Sequence, residues 1–295
     1  MKLEFGTGSR FGRFSYKSAK KLIDYALENG INRFDTGYAY GKYRSQPLLA
    51  KCLKNKIKSE REDIIISTKC PAISGEYINY CVNQSLETFK SGYLDHFHLW
   101  GPSIKDIESN KVLKELAILL KEGKIKKASI NTHEINIMKK ISSGFYSEIK
   151  GMMIDYNLLK QNRLEYIKES KKNDISIFAG TVLCQGLLIN SIHEIFIRTF
   201  SPFYLGRTFV REQSREYIQP SKIMRNYLKK EYSDLYESIP LSFIVNEKLL
   251  DSYPIGMLSI GSIKKNLNIV KNPINKKTTD KIASWALQNC QINDF

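Results

Sequence analysis

Short apolar runs recur along the chain, and between them lie longer stretches with an apolar residue every three or four positions. The first kind reads as strand buried on both faces, the second as amphipathic helix. Lys2 to Phe5 is a short strand, followed by the flexible loop Gly6-Thr7-Gly8-Ser9-Arg10. A helix is predicted from about Tyr16, with Ala19, Leu22, Ile23, Ala26 and Leu27 on one face. Asn29-Gly30 then turns the chain into a strand that ends at Asp35. The rhythm repeats as helix Gln46 to Lys56, strand Glu62 to Lys69, helix Glu76 to Lys90 and strand Tyr93 to Trp100. Helix Lys105 to Glu122, strand Ile125 to Ile130 and a helix starting near Glu134 come next. Strand Gly151 to Tyr156, helix Arg163 to Lys172 and strand Ile175 to Gly180 continue the series. Helices are expected at Pro220 to Lys230 and Tyr236 to Leu250, the last strand at Gly256 to Gly261, and helical segments at the end.

Eight strand-helix units in 295 residues predict a (β/α)8 TIM barrel, a single α/β domain over residues 1–295. A doubly wound sheet is the alternative, but Gly6-Thr7-Gly8-Ser9-Arg10-Phe11 is not the GxGxxG that such a sheet carries after its first strand. Residues 190–235 break the rhythm and read as a loop or lid insertion. The part from Asn190 to Gln219 is aromatic and holds Arg198, Arg207, Arg211 and Arg215, suited to clamping a pyrophosphate or an anionic substrate. Its rings (Phe196, Phe200, Phe203, Tyr204, Phe209) are expected to anchor the lid.

Polar residues at the carboxyl ends of barrel strands mark the active site. Asp35, Tyr40, Lys69, Asn131 and Thr132 fall there, as does Trp100. An acid and a phenol are costly to bury unless they are used or paired. Packing of Tyr40 and turn-capping by Asp35 are the alternative. A Lys beside an Asp and a Tyr makes an acid unit. The cation draws the phenol down from its usual value of ~10, the carboxylate keeps the amine charged, and the phenol protonates a developing alkoxide. A Schiff-base role for Lys69 ranks second, because a neighbouring Asp keeps the amine protonated.

At these residues the chain resembles the aldo-keto reductases. Asp35-Thr36-Gly37-Tyr38-Ala39-Tyr40-Gly41 is similar to the family's second-strand DTAxxYG, and Ser67-Thr68-Lys69 to the end of its third strand. Asp155-Tyr156-Asn157-Leu158-Leu159 looks like its EYNLL, and Ala179 through Leu188 like its AYSPLGQGLL. The resemblance implies a (β/α)8 barrel, NADPH or NADH as cofactor, and Asp35, Tyr40 and Lys69 as catalytic residues. It puts Trp100 where the family has a catalytic His, with His96 and His98 earlier on the same strand read as core histidines bonded to a neighbour. For the cofactor it implies Gly8, Asn131 and Thr132 for Ser-Asn, Met153 for Gln, and Gly180 for a stacking aromatic. Leu183, Gln185 and Gly186, then Gly261, Ser262, Lys264 and Lys265 of the adenosine-phosphate loop, complete the set. A sugar-derived ketone or a conjugated C=C bond is the expected substrate, because an indole replaces the imidazole. A non-redox or cofactor-sensing barrel is the alternative.

Charge and cysteine content narrow this further. The formal charge is +16, but the lysines are spread over the whole chain, and no basic cluster is interleaved with rings in a way that suggests base stacking. That favours a small-molecule substrate over specific nucleic-acid binding. The five cysteines show no CxxC or Cys/His ligand spacing, so no metal site is expected. Reduced thiols, no apolar signal core and no run near the ~20 apolar residues of a membrane span point to a cytoplasmic protein.

Overall fold

The computed structural model describes residues 1–199, 215–290 and 292. Backbone contacts divide it into two compact units. The first comprises Met1–Ile154, Tyr166–Phe178 and Leu249–Lys264; the second, Asp155–Glu165, Ala179–Lys248 and Lys265–Phe295. Among the described residues no helix is long and apolar enough to cross a membrane, and no group of three or more His, Cys, Asp or Glu is placed to hold a metal.

The first unit carries almost all of the sheet. The strands are β1 (Leu3–Gly6), β2 (Arg33–Asp35), β3 (Ile65–Pro71), β4 (Leu94–Trp100), β5 (Ile125–Thr132), β6 (Ile149–Asp155), β7 (Ser176–Gly180) and β8 (Tyr253–Gly256). They lie in the order β7-β6-β5-β4-β3-β2-β1-β8. A parallel bridge between Phe178 and Ser252 brings the two ends of that order together, so the sheet curls into a nearly closed barrel. Helices follow the strands, which makes this the (β/α)8 fold expected from the sequence.

Local chemistry explains the elements. Helix Tyr16–Glu28 starts at Ser15, whose hydroxyl accepts the Ser18 N–H, and it buries Ala19, Leu22, Ile23 and Ala26 on one face. It ends before Gly30, which turns at φ +81°. The Asp95 carboxylate ties β4 to β3 by accepting the Ile66 N–H at 2.9 Å and Arg61 at 2.8 Å. Phe5 faces outward, its ring against Phe11 and Phe34. Alternation along the strand then turns Glu4 to the barrel interior.

Four expectations are corrected. The last strand is Tyr253–Gly256, not Gly256 to Gly261. Pro254 lacks an N–H for a ladder, yet it pairs with Glu4 of β1, and Ile260 already belongs to a helix. Helix Lys105 to Glu122 is two helices, Ile104–Glu108 and Asn110–Lys121, because Ser109 adopts an extended backbone. Part of the loop after β1 is a single helical turn, Gly8–Phe11. The 190–219 stretch is helical at Ile192–Thr199 and again from Ile218. Arg207, Arg211, Phe200, Phe203, Tyr204 and Phe209 lie outside the described residues, as does the side chain of Arg198.

One glycine holds the barrel interior to its shape. A Cβ at Gly151 would lie 2.2 Å from Ser129 Oγ and 3.0 Å from the Phe178 ring. Gly151→Ala should therefore lower the unfolding free energy by about 1–3 kcal/mol in urea titration. Gly256→Ala, which meets nothing nearer than 3.9 Å, should stay within about 0.5 kcal/mol.

Candidate active site

Asp35 and Lys69 lie at the ends of neighbouring strands, and backbone bonds beyond the ladder fix both. The Asp35 carbonyl accepts the Thr7 N–H at 3.0 Å, and the Lys69 carbonyl accepts the Tyr38 N–H at 2.9 Å. Their side chains meet, with Lys69 Nζ 2.5 Å from Asp35 Oδ1, and both residues are almost wholly buried. Tyr40 follows in the turn after β2, its N–H bonded to the Gly37 carbonyl. The Lys69 ammonium lies 5.5 Å from the centre of the Tyr40 ring.

The glycines of this motif have steric reasons. A Cβ at Gly37 would touch the Tyr40 ring at 3.0 Å. Gly41 has φ +63°, and a Cβ there would meet Ser45 Oγ at 2.6 Å. Lys42 and Tyr43 also take left-handed backbone, at φ 56° and 65°. Such residues persist only where the surroundings impose the conformation, and they cluster at functional sites.

Trp100, at the end of β4, packs edge-on against the Tyr40 ring with centroids 6.2 Å apart. Asp35, Lys69, Tyr40 and Trp100 are thus brought together. His98, opposite Lys69 in the β3–β4 register, is fully buried against the Phe178 ring, and neither ring nitrogen has a hydrogen-bond partner among the described residues. It is a core histidine, as expected, but it is not bonded to a neighbour. Burial first, then Lys69 and His96, hold its pKa well below the usual imidazole value, so it is neutral.

Burial pushes the Asp35 carboxyl up, against the pull of Lys69. Burial opposes the Lys69 charge, but Asp35, Tyr40 and Glu4 together outweigh it and raise the ammonium's pKa. The unit therefore holds a protonated lysine. Glu4 of β1, absent from the sequence-based candidates, belongs to the same electrostatic cluster. It is completely buried, and burial and the Asp35 charge push its carboxyl up to about 7. The signal available was an acid inside a short apolar strand of a sheet with both faces covered.

The cofactor candidates of the first unit form a row and a rim. Across the strand ends, Trp100 pairs with Asn131 and Asn131 with Met153. Asn131, half-exposed, has a donor and an acceptor for a carboxamide, and buried Met153 adds an apolar neighbour. The Thr132 hydroxyl already accepts the Glu134 N–H at 3.0 Å. Gly8 opens its helical turn at φ +55°, with no described residue within 4 Å of a Cβ there. Gly261 and Ser262 start helix Ile260–Lys271, where Ser259 and Ser262 cap each other's N–H through their hydroxyls. Lys264 reaches over the Tyr25 ring at 5.8 Å. A groove of about 520 Å³ runs along helix Tyr16–Glu28 beside Ile260, where Lys17, Lys20 and Lys21 are accompanied by Asp24 and Glu28 and Lys20 pairs with Asp24. The Asn131 amide with the apolar wall of Met153 suits a nicotinamide carboxamide, and Lys264 near the start of its helix suits a phosphate.

The second unit places its candidates separately. Gly180 accepts the Tyr156 N–H at 3.4 Å and offers no ring. Leu183, Gln185 and Gly186 lie in a tight turn where Thr181, Cys184, Gln185 and Gly186 all have positive φ. Lys265 pairs with Glu237. Asp155 accepts the Thr181 hydroxyl at 2.5 Å and the Tyr217 hydroxyl at 3.3 Å, and Lys160 pairs with Glu216 at 2.9 Å. These bonds tie residues 216–217 to the loop after β6.

Glu4 gives stability a pH dependence. The carboxyl titrates near 4.5 when unfolded and near 7 when folded, so between those values the folded chain binds the extra proton. Its contribution is therefore full below pH 4.5 and is lost as pH rises to about 7, a change of about 3 kcal/mol. Asp35, also raised, works in the same direction. Urea titrations from pH 4.5 to 8 should show this decline, and Glu4→Gln should flatten it. An unchanged slope in the variant would place the titrating group elsewhere.

Comparison with known proteins completes the picture. The model of the aldo/keto reductase family matches residues 2–286. The uncharacterised oxidoreductase YqkF of Bacillus subtilis is 26% identical over 197 residues, 63% of this chain and 62% of that protein. L-galactose dehydrogenase of Arabidopsis thaliana is 23% identical over 275 residues, 89% of this chain and 81% of that protein. In fold, the holo form of an aldo-keto reductase from Bacillus halodurans superimposes with a TM-score of 0.74 at 22% identity, over 97% of this chain and 91% of that one. The chain belongs to the aldo/keto reductase family of oxidoreductases, which work with NADPH or NADH.

Proposed function

We propose that the protein interconverts a carbonyl and an alcohol on a sugar-derived substrate, with Tyr40 as the proton donor in the reducing direction. The observation that carries this reading is the buried Lys69–Asp35 pair beneath the Tyr40 ring. When bound, the nicotinamide supplies the hydride. The protein must then protonate the developing alkoxide. Lys69 is held charged by Asp35, and a charged ammonium beside the phenol favours its proton loss, the reciprocal of the phenol's effect on Lys69. Asn131, at the end of β5 beside Trp100, orients a carboxamide. Lys264 attracts the phosphate end, with NADP preferred over NAD.

Trp100 shapes the substrate side. Its indole replaces a group able to titrate with one that only donates, and its edge-on packing restricts the space above Tyr40. A substrate that brings its own hydroxyls suits such a site better than a simple aldehyde. The Arabidopsis relative is named for a sugar, L-galactose, which supports that class. A conjugated C=C bond is the other substrate that needs no imidazole. We also read the chain as one barrel domain, since the family match spans both units.

The test is Tyr40→Phe, assayed by nicotinamide absorbance over a panel of pentoses, hexoses and enones. Activity should fall by ~10²–10⁴-fold, the usual contribution of a general acid, with cofactor affinity unchanged. Full turnover by the variant would remove Tyr40 from the chemistry.

A further inference from the structure

The barrel interior beneath Lys69 is polar to an extent the reaction does not explain. Glu4 is completely buried, and among the described residues its carboxylate has only a long ion pair with Arg33 and a loose contact with the Ser252 hydroxyl. Among the described residues the buried hydroxyls of Ser67 and Ser129 are unpartnered, as are both nitrogens of His98. A buried carboxyl so loosely paired is costly to keep, by several kcal/mol if it is charged. Replacement by an apolar residue would relieve that cost, so retention of an acid here calls for a use.

The groups facing Glu4 are few. From β2 come Arg33, whose Nη1 lies 3.9 Å from Oε1, and Asp35. From β3 comes Lys69, and beside β8 lies the uncharged Ser252. The imidazoles of β4 face other charges. His98 faces Lys69 and His96, while His96 faces Lys127, Arg33 and Asp251. Arg33 is partly exposed and makes its hydrogen bond with the Met1 carbonyl, so it screens Glu4 only in part. Glu4 thus acts chiefly on the Lys69–Asp35 pair, through a poorly screened interior.

We propose that Glu4 is a positioning residue of the acid unit, a buried carboxyl whose charge state sets how firmly Tyr40 holds its proton. This rests on the reading of Tyr40 as the proton donor. The effect is one of charge. With Glu4 neutral, the charges of Lys69 and Asp35 cancel, and a phenolate beside the ammonium is tolerated. With Glu4 ionised, the cluster gains a negative charge that Arg33 balances only in part, and a phenolate adds another in a medium of low dielectric. Tyr40 then keeps its proton to higher pH. The burial and neighbours of Glu4 bring its own titration into the neutral range, where such control is usable. Glu4 therefore widens the pH range over which the phenol remains a donor, and limits its use as a base in the oxidising direction.

The experiment titrates the phenol directly and needs no substrate. Tyrosinate absorbance is followed against pH in the wild type and in Tyr40→Phe, and the difference isolates Tyr40. The same difference is taken in the Glu4→Gln background. Glu4→Gln should move the Tyr40 titration down by about one pH unit. In parallel, infrared difference spectra between wild type and Glu4→Gln should show a protonated-carboxyl band that disappears as pH passes about 7. If Glu4→Gln does not fold, Arg33→Gln replaces it. Loss of the nearest cation should carry both the carboxyl band and the Tyr40 titration to higher pH. An unmoved Tyr40 titration in a folded Glu4→Gln protein overturns the proposal while leaving Tyr40 as the acid. A Tyr40 titration that also ignores Lys69→Met overturns both.

Discussion

Everything at the mouth of this barrel depends on one buried ion pair, Lys69 with Asp35. Two charges removed from water cost several kcal/mol each, and their attraction compensates only at close range. Adjacent strands give that range. β2 and β3 run in register from Arg33 opposite Ile65 to Asp35 opposite Ser67, which sets the carboxylate beside the strand that delivers the lysine. Removing either partner would leave an uncompensated buried charge. The pair also explains why a lysine ends an otherwise apolar strand, and why a phenol with a tight, left-handed turn behind it is seated above.

The barrel is legible in the sequence because its strands are buried on both faces. Runs such as Ile64-Ile65-Ile66 and Phe97-His98-Leu99 read as strand without knowledge of their partners, and the intervening helices show their apolar faces. Element ends are less legible. The apolar run after Gly256 reads as the final strand, whereas the strand that forms contains a proline and still pairs with β1 at Leu3, Phe5 and Gly6. Ser109 splits a helix by its backbone conformation, which no hydrophobic period reports.

The acid unit is legible at the level of residue type. Asp35, Tyr40 and Lys69 announce themselves as polar groups at strand ends, and the structure brings them together. Glu4 is not legible in the same way, because its significance comes from neighbours distant in sequence. A single acid in a short N-terminal segment has the same appearance whether it faces solvent or a closed interior. Its position opposite Pro254, with Arg33 close by, decides the matter. The same holds for Thr132, a plausible cofactor contact by type whose hydroxyl the local turn already uses.

The family gives the hydride chemistry, and the residues specific to this chain decide how it is used. By the resemblance of its motifs, Trp100, Met153 and Gly180 stand where an imidazole, a carboxamide and a stacking ring are expected, while Asp35, Tyr40 and Lys69 lie together. Such a site must still bind its nicotinamide cofactor if Tyr40 is to protonate anything. Titration of the purified protein with NADPH and with NADH, followed by nicotinamide and tryptophan fluorescence, tests this directly. Saturable binding at micromolar concentrations, tighter for NADPH, is the expected result. No binding of either cofactor at high micromolar concentration would contradict it.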